Sequence, residues 1–329
     1  MLHKMCHAQL SDADIKAICK SRGFSTREAG SRAIFENFFL SDIGVAAAMA
    51  TLTGPELAML HLLARLKCEV DVAFFARVYG DPLHITFQYE YTYNRRFSDV
   101  MKQVQANLIR RGLLLYAEAL LEDGTTTRLE RLRFRLPVEF ETFLPPLLPA
   151  APASADSGET RREVLREKLL ELAPGQRGAA GEDQYALRIV GGELRIGQQP
   201  FRVELLQQWQ QARWAAALGR PKGKAGQASP QEAIPEDARR YSLRLPEATR
   251  FICEQWGEGR WAPAAAITPL LAALCYGEPE VDGPTVCAAG WQWGCLARQQ
   301  IAGQMCYRLP TEEPGTTDDD LARYLSPAP

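Results

Sequence analysis

Three things are scarce in this chain of 329 residues: an excess of one charge, long apolar runs and paired metal ligands. Lysine and arginine number 38 against 40 aspartate and glutamate, a formal net charge of −2. A coat or tail that holds nucleic acid by charge alone is strongly basic, so any contact with DNA has to come from a local basic face. No run of about 18 apolar residues occurs, which gives no membrane-spanning helix. Residues 1–10 lack the apolar stretch of a signal peptide. The expectation is a cytoplasmic protein that does not engage a membrane. The eight cysteines, Cys6, Cys19, Cys68, Cys253, Cys275, Cys287, Cys295 and Cys306, form no C-x-x-C pair. The four histidines add no spacing that matches a structural zinc site. The cysteines therefore read as reduced, mostly buried small hydrophobes, and no metal or cofactor is expected.

Signatures of catalysis are also absent. There is no G-x-x-x-x-G-K-[ST] loop, no G-x-G-x-x-G after a strand and no G-x-S-x-G elbow. His61 falls inside a leucine-rich helix and reads as a half-buried structural histidine. His84 opens an extended run with no obvious carboxylate partner. Asp318-Asp319-Asp320 reads as a solvated acidic tail. The expectation is a non-enzyme with no catalytic residues.

What is present is ample core material, 46% hydrophobic residues, enough for two or three domains. Ser11 with Asp14 has capping-box spacing, and Gly23 suits a helix stop. Thr53-Gly54-Pro55-Glu56 is a sharper start signal: Thr53 can cap, Pro55 tolerates an early helical position and Glu56 can reach back. A helix through Leu57, Leu60, Leu63 and Leu66 follows, then a second over Val70 to Tyr79. Ile85, Phe87, Tyr89, Tyr91 and Tyr93 alternate with polar residues, which predicts an extended segment. A third helix is predicted from Phe97 to Arg111, with Phe97, Val100, Met101, Val104 and Leu108 as its buried stripe. Two β-rich runs, Leu113 to Leu121 and Arg128 to Leu136, come directly after it.

A helix that passes at once into a hairpin is how a winged helix ends. In that fold the third helix can enter the major groove while the hairpin tracks the backbone. On the second β-run Arg131, Arg133 and Arg135 alternate with Leu132, Phe134 and Leu136, so three guanidiniums share one face and suit phosphates. Arg95 and Arg96 stand at the start of the third helix, Lys102 two turns in and Arg110 at its end. The alternative is a solvated face balanced by Glu118, Glu122 and Glu130. Residues 1–150 carry 18 Lys/Arg and 17 Asp/Glu.

Two family resemblances bear on this region. Residues 53–148, with the capped leucine-rich helix, then Asn107-Leu108-Ile109-Arg110-Arg111-Gly112-Leu113-Leu114, then a wing ending in Arg135-Leu136-Pro137, are similar to winged-helix DNA-binding domains. These are of the type at the N-terminus of XPB-type helicases and in DNA-associated accessory proteins. Residues 10–38, with Leu10, Ile15-Lys16, Lys20 and Arg22-Gly23, resemble the SAP motif; Gly30-Ser31-Arg32 stands where that family has Gly-Lys. The SAP resemblance implies phosphate contacts from Lys16, Lys20, Arg22 and Arg32.

Beyond a Pro/Ala/Ser-rich linker, Gly191-Gly192 between two short β-runs marks a hairpin. Later helices are predicted over Pro246 to Trp256, Pro263 to Tyr276 and Pro284 to Gln299. Trp256, Trp261, Trp291 and Trp293 cluster there, as core or as anchors for a protein partner or bases. Leu108-Ile109-Arg110-Arg111, a hairpin and Phe134-Arg135-Leu136-Pro137 find an echo in Leu296-Ala297-Arg298, a short strand and Tyr307-Arg308-Leu309-Pro310. The echo is either a second winged helix with a truncated wing or coincidence.

The reading is mainly α with small β-hairpins, as winged helix-turn-helix domains joined by linkers. It divides into a SAP-like helical region (1–52), a winged helix (53–148), a linker (149–158), a helix plus β-hairpin segment (159–218), a second linker (219–238), a helical, degenerate winged-helix domain (239–311) and an acidic tail (312–329). The expected function is DNA binding, double-stranded rather than single-stranded. The protein would be an accessory or regulatory subunit of a DNA-processing or defence-type machine, beside an ATPase or nuclease. The alternative is a protein-interaction adaptor that uses winged helices as docking surfaces.

Overall fold

The computed structural model describes residues 3, 7, 9–25, 27, 32–39, 42–80, 97–117, 132–148, 162, 163, 187–190, 193–196, 198–202, 205, 208, 218, 240–256, 260–275, 282–292, 294–310 and 317–325. The fold is mainly helical with small antiparallel strand pairs. It divides into two compact units: residues 1–147 with 226–244 and 272–280, and residues 148–225 with 245–271 and 281–329. No described helix is long and apolar enough to cross a membrane.

In the first unit, α1 (Asp12–Ser21) begins at Ser11 with both arms of the capping box formed, and Gly23 beyond its end takes a positive φ of 74°. Short helices α2 (Arg32–Phe39) and α3 (Asp42–Met49) follow. Helix α4 (Gly54–Leu66) starts at Thr53, again with a complete capping box, made with Glu56. A cap of this kind is worth about 1 kcal/mol. Met59, Leu60, Leu62 and Leu63 of α4 are buried.

Helix α5 (Val72–Tyr79) is shorter than expected, because Asp71 caps it by accepting from Ala73 N at 3.1 Å. Val70 is thereby released from the helix and pairs with Phe134. The expected extended run over Ile85 to Tyr93 lies outside the described residues. Helix α6 (Ser98–Asn107) buries Val100, Met101 and Val104, with Phe97 and Leu108 buried at its two ends. A 3-10 turn, Ile109–Arg111, then closes on Gly112.

Strands β1 (Leu115–Tyr116) and β2 (Phe134–Arg135) are antiparallel, with Leu115 opposite Arg135 and Tyr116 opposite Phe134. The segment between them, 118–131, lies outside the described residues. Val70 adds to the other side of β2, so the spatial order is Val70, β2, β1. Phe134 is fully buried, its ring edge-on to Phe75 and close to Tyr116. A second 3-10 segment, Val138–Phe143, follows.

In the second unit, β3 (Leu187–Val190) and β4 (Glu193–Ile196) form the hairpin expected around Gly191-Gly192, and β5 (Gln199–Pro200) joins β4. Helix α7 (Leu245–Glu254), β6 (Ala262–Pro263), a 3-10 turn (Ala264–Ala266) that runs into α8 (Ile267–Leu274), α9 (Gly283–Gln292), β7 (Ala297–Ile301) and β8 (Gln304–Arg308) follow. The helix expected over Pro284 to Gln299 is thus too long. Gly294 turns the chain at φ 70°, and Ala297–Ile301 pairs with β8 instead. The sheet order is β6-β8-β7.

Both units therefore contain the same sequence of elements: helix, strand, two helices, two strands, with the first strand bonded to the last. Phe134, opposite Val70, corresponds to Tyr307, opposite Ala262. Arg135-Leu136-Pro137 and Arg308-Leu309-Pro310 leave the two sheets at the same point of each order. The tail also has structure: α10 (Asp318–Leu325) is capped by Thr317, whose Oγ1 accepts from Asp320 N, and Leu321 is buried.

Candidate functional site

Helix α6 presents a polar side. Asp99, Lys102, Gln103 and Ala106 are exposed, as is Arg110 just beyond the helix. The apolar stripe at spacing three and four faces inward, so this side is left to solvent by the fold. Lys102 Nζ donates to Asp99 Oδ1 at 2.7 Å, with both side chains about three-quarters or more exposed. An ion pair in that setting holds little energy and yields readily to a stronger anion. Asn107 Nδ2 donates to Gln103 Oε1 at 3.3 Å.

The other basic residues singled out from the sequence divide into two groups. Lys16 and Lys20 are exposed one turn apart on α1. Arg22, Arg32, Arg110 and Arg135 are engaged within the first unit. Arg22 Nη2 donates to Arg111 O at 2.9 Å. Burial, and then the charge of Arg111, push its guanidinium down to about 10. Arg32 donates to Leu10 O and pairs with Asp12 at 2.9 Å. Arg110 Nε lies 3.8 Å from Asp14 Oδ1. Arg135 Nη2 lies 3.3 Å from Glu69 Oε1, and Arg133 Nη1 donates to Leu132 O at 3.0 Å. Helix α1 packs against the 109–111 turn, and Gln9 Nε2 donates to Ala117 O at 2.8 Å. Residues 9–22 are thus fastened to the 109–111 turn and to Ala117 just beyond β1. Arg95, Arg96 and Arg131 lie outside the described residues.

Of the aromatic cluster, Trp256 and Trp261 are core residues. Trp256 is buried with Nε1 donating to Arg260 O at 2.9 Å, and Trp261 packs with Ala297, Ile301 and Cys306. Trp291 is half-buried under the Arg298 guanidinium. Trp293 lies outside the described residues. A cavity of about 10 Å³ is lined by Ile252, Trp256, Ile267 and Val286 among others. That is room for roughly one water, far below the several hundred Å³ of a small-molecule pocket. His61 is half-buried with Nε2 2.8 Å from Pro145 O, in keeping with a structural role.

One constellation was missed in the sequence. His3 and His7, both in helical backbone, stand with Nδ1 and Nε2 at 2.5 and 3.2 Å from the same oxygen, Oε2 of Glu36 on α2. Their rings are 4.1 Å apart. Burial works against the Glu36 charge, but the hydrogen bonds from His3 and then His7 outweigh it and hold the carboxyl below its ordinary range. The i, i+4 spacing of His3 and His7 is the signal the sequence carries; Glu36 is remote in the chain and joins them only through the fold. Among protein-family models, curated proteins and solved structures, nothing matches this chain.

Proposed function

We propose that residues 53–148 form a winged helix that binds double-stranded DNA, and that the chain serves as a non-catalytic accessory subunit beside a DNA-processing ATPase or nuclease. The observation that carries this reading is the pairing of Val70 with β2 in a helix–strand–helix–helix–strand–strand order, with the polar side of α6 turned to solvent. Lysine, glutamine and arginine are the side chains that reach phosphates and base edges from a helix in the major groove. Exposed Lys16, Lys20 and Lys102 supply phosphate contacts, and Arg131 and Arg133, which alternate with Leu132 and Phe134 in the sequence, add to them. With a net charge of −2 the chain as a whole exerts little long-range attraction on DNA, which suits a subunit that shares its DNA with a partner. Residues 239–311 are, on the same element order, a second winged helix with a two-residue wing.

The adaptor reading has one observation in its favour: Arg22, Arg32, Arg110 and Arg135 already hold partners inside the unit. Fluorescence anisotropy with labelled double- and single-stranded DNA at low and moderate salt separates the two. DNA binding predicts tighter double-strand binding that weakens steeply with salt. No binding to either form at low salt would leave the adaptor.

A further inference from the structure

The strongest feature outside the proposed DNA face is the meeting of His3, His7 and Glu36. It is one group of three potential ligands among the described residues, with the ligand atoms all within 4.8 Å of one another. Two histidines one turn apart put their rings on one side of a helix, and Glu36 closes the set from α2.

We infer that His3, His7 and Glu36 form a binding site for a divalent transition-metal ion of the zinc class, with a coordination position open to solvent. The donor set carries the choice of ion. Two imidazoles and one carboxylate suit zinc, nickel, copper or iron and are poor ligands for magnesium or calcium, which take oxygen. Two histidines and one glutamate, with water in the fourth place, is an established tetrahedral zinc arrangement. Bonds of about 2.0–2.2 Å place tetrahedral ligand atoms roughly 3.4 Å apart. The nitrogens now lie 2.5 and 3.2 Å from Glu36 Oε2, so shifts on the order of an ångström admit the ion. Access is open as well, because the His3 side chain is 70% exposed and those of His7 and Glu36 are 32% and 22% exposed. The ion replaces the N–H donated to Glu36, and any protons on the ligating nitrogens leave to solvent. A bound ion joins the helical residues at 3 and 7 to α2, so it stabilises that corner of the first unit and leaves its own open position facing water. This site is independent of the DNA reading.

The test is calorimetric titration of the full-length protein with Zn²⁺, together with the visible spectrum on adding Co²⁺. Variants His3→Asn/His7→Asn, Glu36→Gln and, as a control for the exposed Cys68, Cys68→Ser are run in parallel. The expected result is one Zn²⁺ per chain, a tetrahedral Co²⁺ spectrum and a rise in melting temperature with Zn²⁺. The double histidine variant loses tenfold or more in affinity, Glu36→Gln also weakens binding, and Cys68→Ser does not. Glu36→Gln keeps the side-chain shape and an oxygen acceptor, so its loss of affinity with an unchanged metal-free melting temperature assigns the effect to ligation. No Zn²⁺ binding, or equal affinity in wild type and the histidine variant, would overturn the site and leave the three residues as a hydrogen-bonded cluster.

Discussion

Val70 and Phe134 exchange both backbone hydrogen bonds: Val70 N donates to Phe134 O at 3.0 Å and Phe134 N donates to Val70 O at 2.8 Å. This pair ties the connection between α4 and α5 to the last strand of the first unit. The Phe134 side chain is also its packing centre, fully buried against Phe75 and Tyr116. Phe134→Ala should therefore cost about 3–5 kcal/mol, read as a lower urea midpoint for the first unit. A cost below about 1 kcal/mol, the level of an ordinary surface change, would contradict the placement of this ring.

The carboxylate of Glu56 is buried yet fully used. Thr53 N and Oγ1 each donate to Oε2 at 2.9 Å, and Tyr79 Oη donates to Oε1 at 2.7 Å. Burial, and then the bond to Glu56, hold the Tyr79 hydroxyl protonated above its ordinary range. A group whose folded pKa is raised contributes stability that is complete below its unfolded value, about 10, and is lost as pH rises from there. Tyr79→Phe should be less stable than wild type by about 1 kcal/mol near neutral pH, with the difference narrowing above about pH 10. Urea midpoints across that range check it; a constant difference would contradict the buried hydrogen bond.

Gly283 opens α9 where a β-carbon has no room. An added Cβ would stand 2.2 Å from Ala264 O and 2.9 Å from Thr268 N, and Gly283 N donates to Thr268 Oγ1 at 2.8 Å. The obstacles are backbone atoms, so relief requires α9 to move from the 264–268 turn. Gly283→Ala should destabilise the second unit by about 1–3 kcal/mol or more. Gly303→Ala meets no atom within 4 Å and costs only its positive φ, roughly 1–2 kcal/mol. Thermal melts of the two variants give the comparison.

The β7–β8 turn offers a gain. Ala302 and Gly303 sit at φ 50° and 80°, between the paired Ile301 and Gln304, which is the two-residue hairpin favoured by Asn-Gly. Ala302→Asn should raise the melting temperature, with a gain on the order of 0.5–1 kcal/mol. A fall would show that this turn is held by something other than its own backbone preference.

The contrast between local and remote signals explains what the sequence made legible. Ser11 with Asp14, Thr53 with Glu56 and the α6 stripe depend on neighbours three and four residues away, and each formed as expected. The Gly191-Gly192 hairpin did too. Val70 reads as helix from its neighbours, because its strand is a single residue defined by Phe134 far along the chain. Ala297–Ile301 reads as helix by propensity, since Ala, Arg and Gln are good helix formers; the hairpin with β8 overrides that. The basic residues were legible as a set, but the acids and carbonyls that engage Arg22, Arg32, Arg110 and Arg135 come from other elements. Glu36 was hidden for the same reason: the chain places it near His3 and His7 only after α1 and α2 have folded.

The most direct measurement is the slope of log binding constant against log salt for a short double-stranded DNA. Wild type is compared with Lys102→Ala and with Arg131→Ala/Arg133→Ala/Arg135→Ala. Each phosphate contact removed should lower the slope by about 0.9, so Lys102→Ala drops it by about one and the triple variant by up to about three. A wild-type protein with no affinity for DNA at low salt, or variants with the wild-type slope, would contradict the proposal that this helix and hairpin meet DNA.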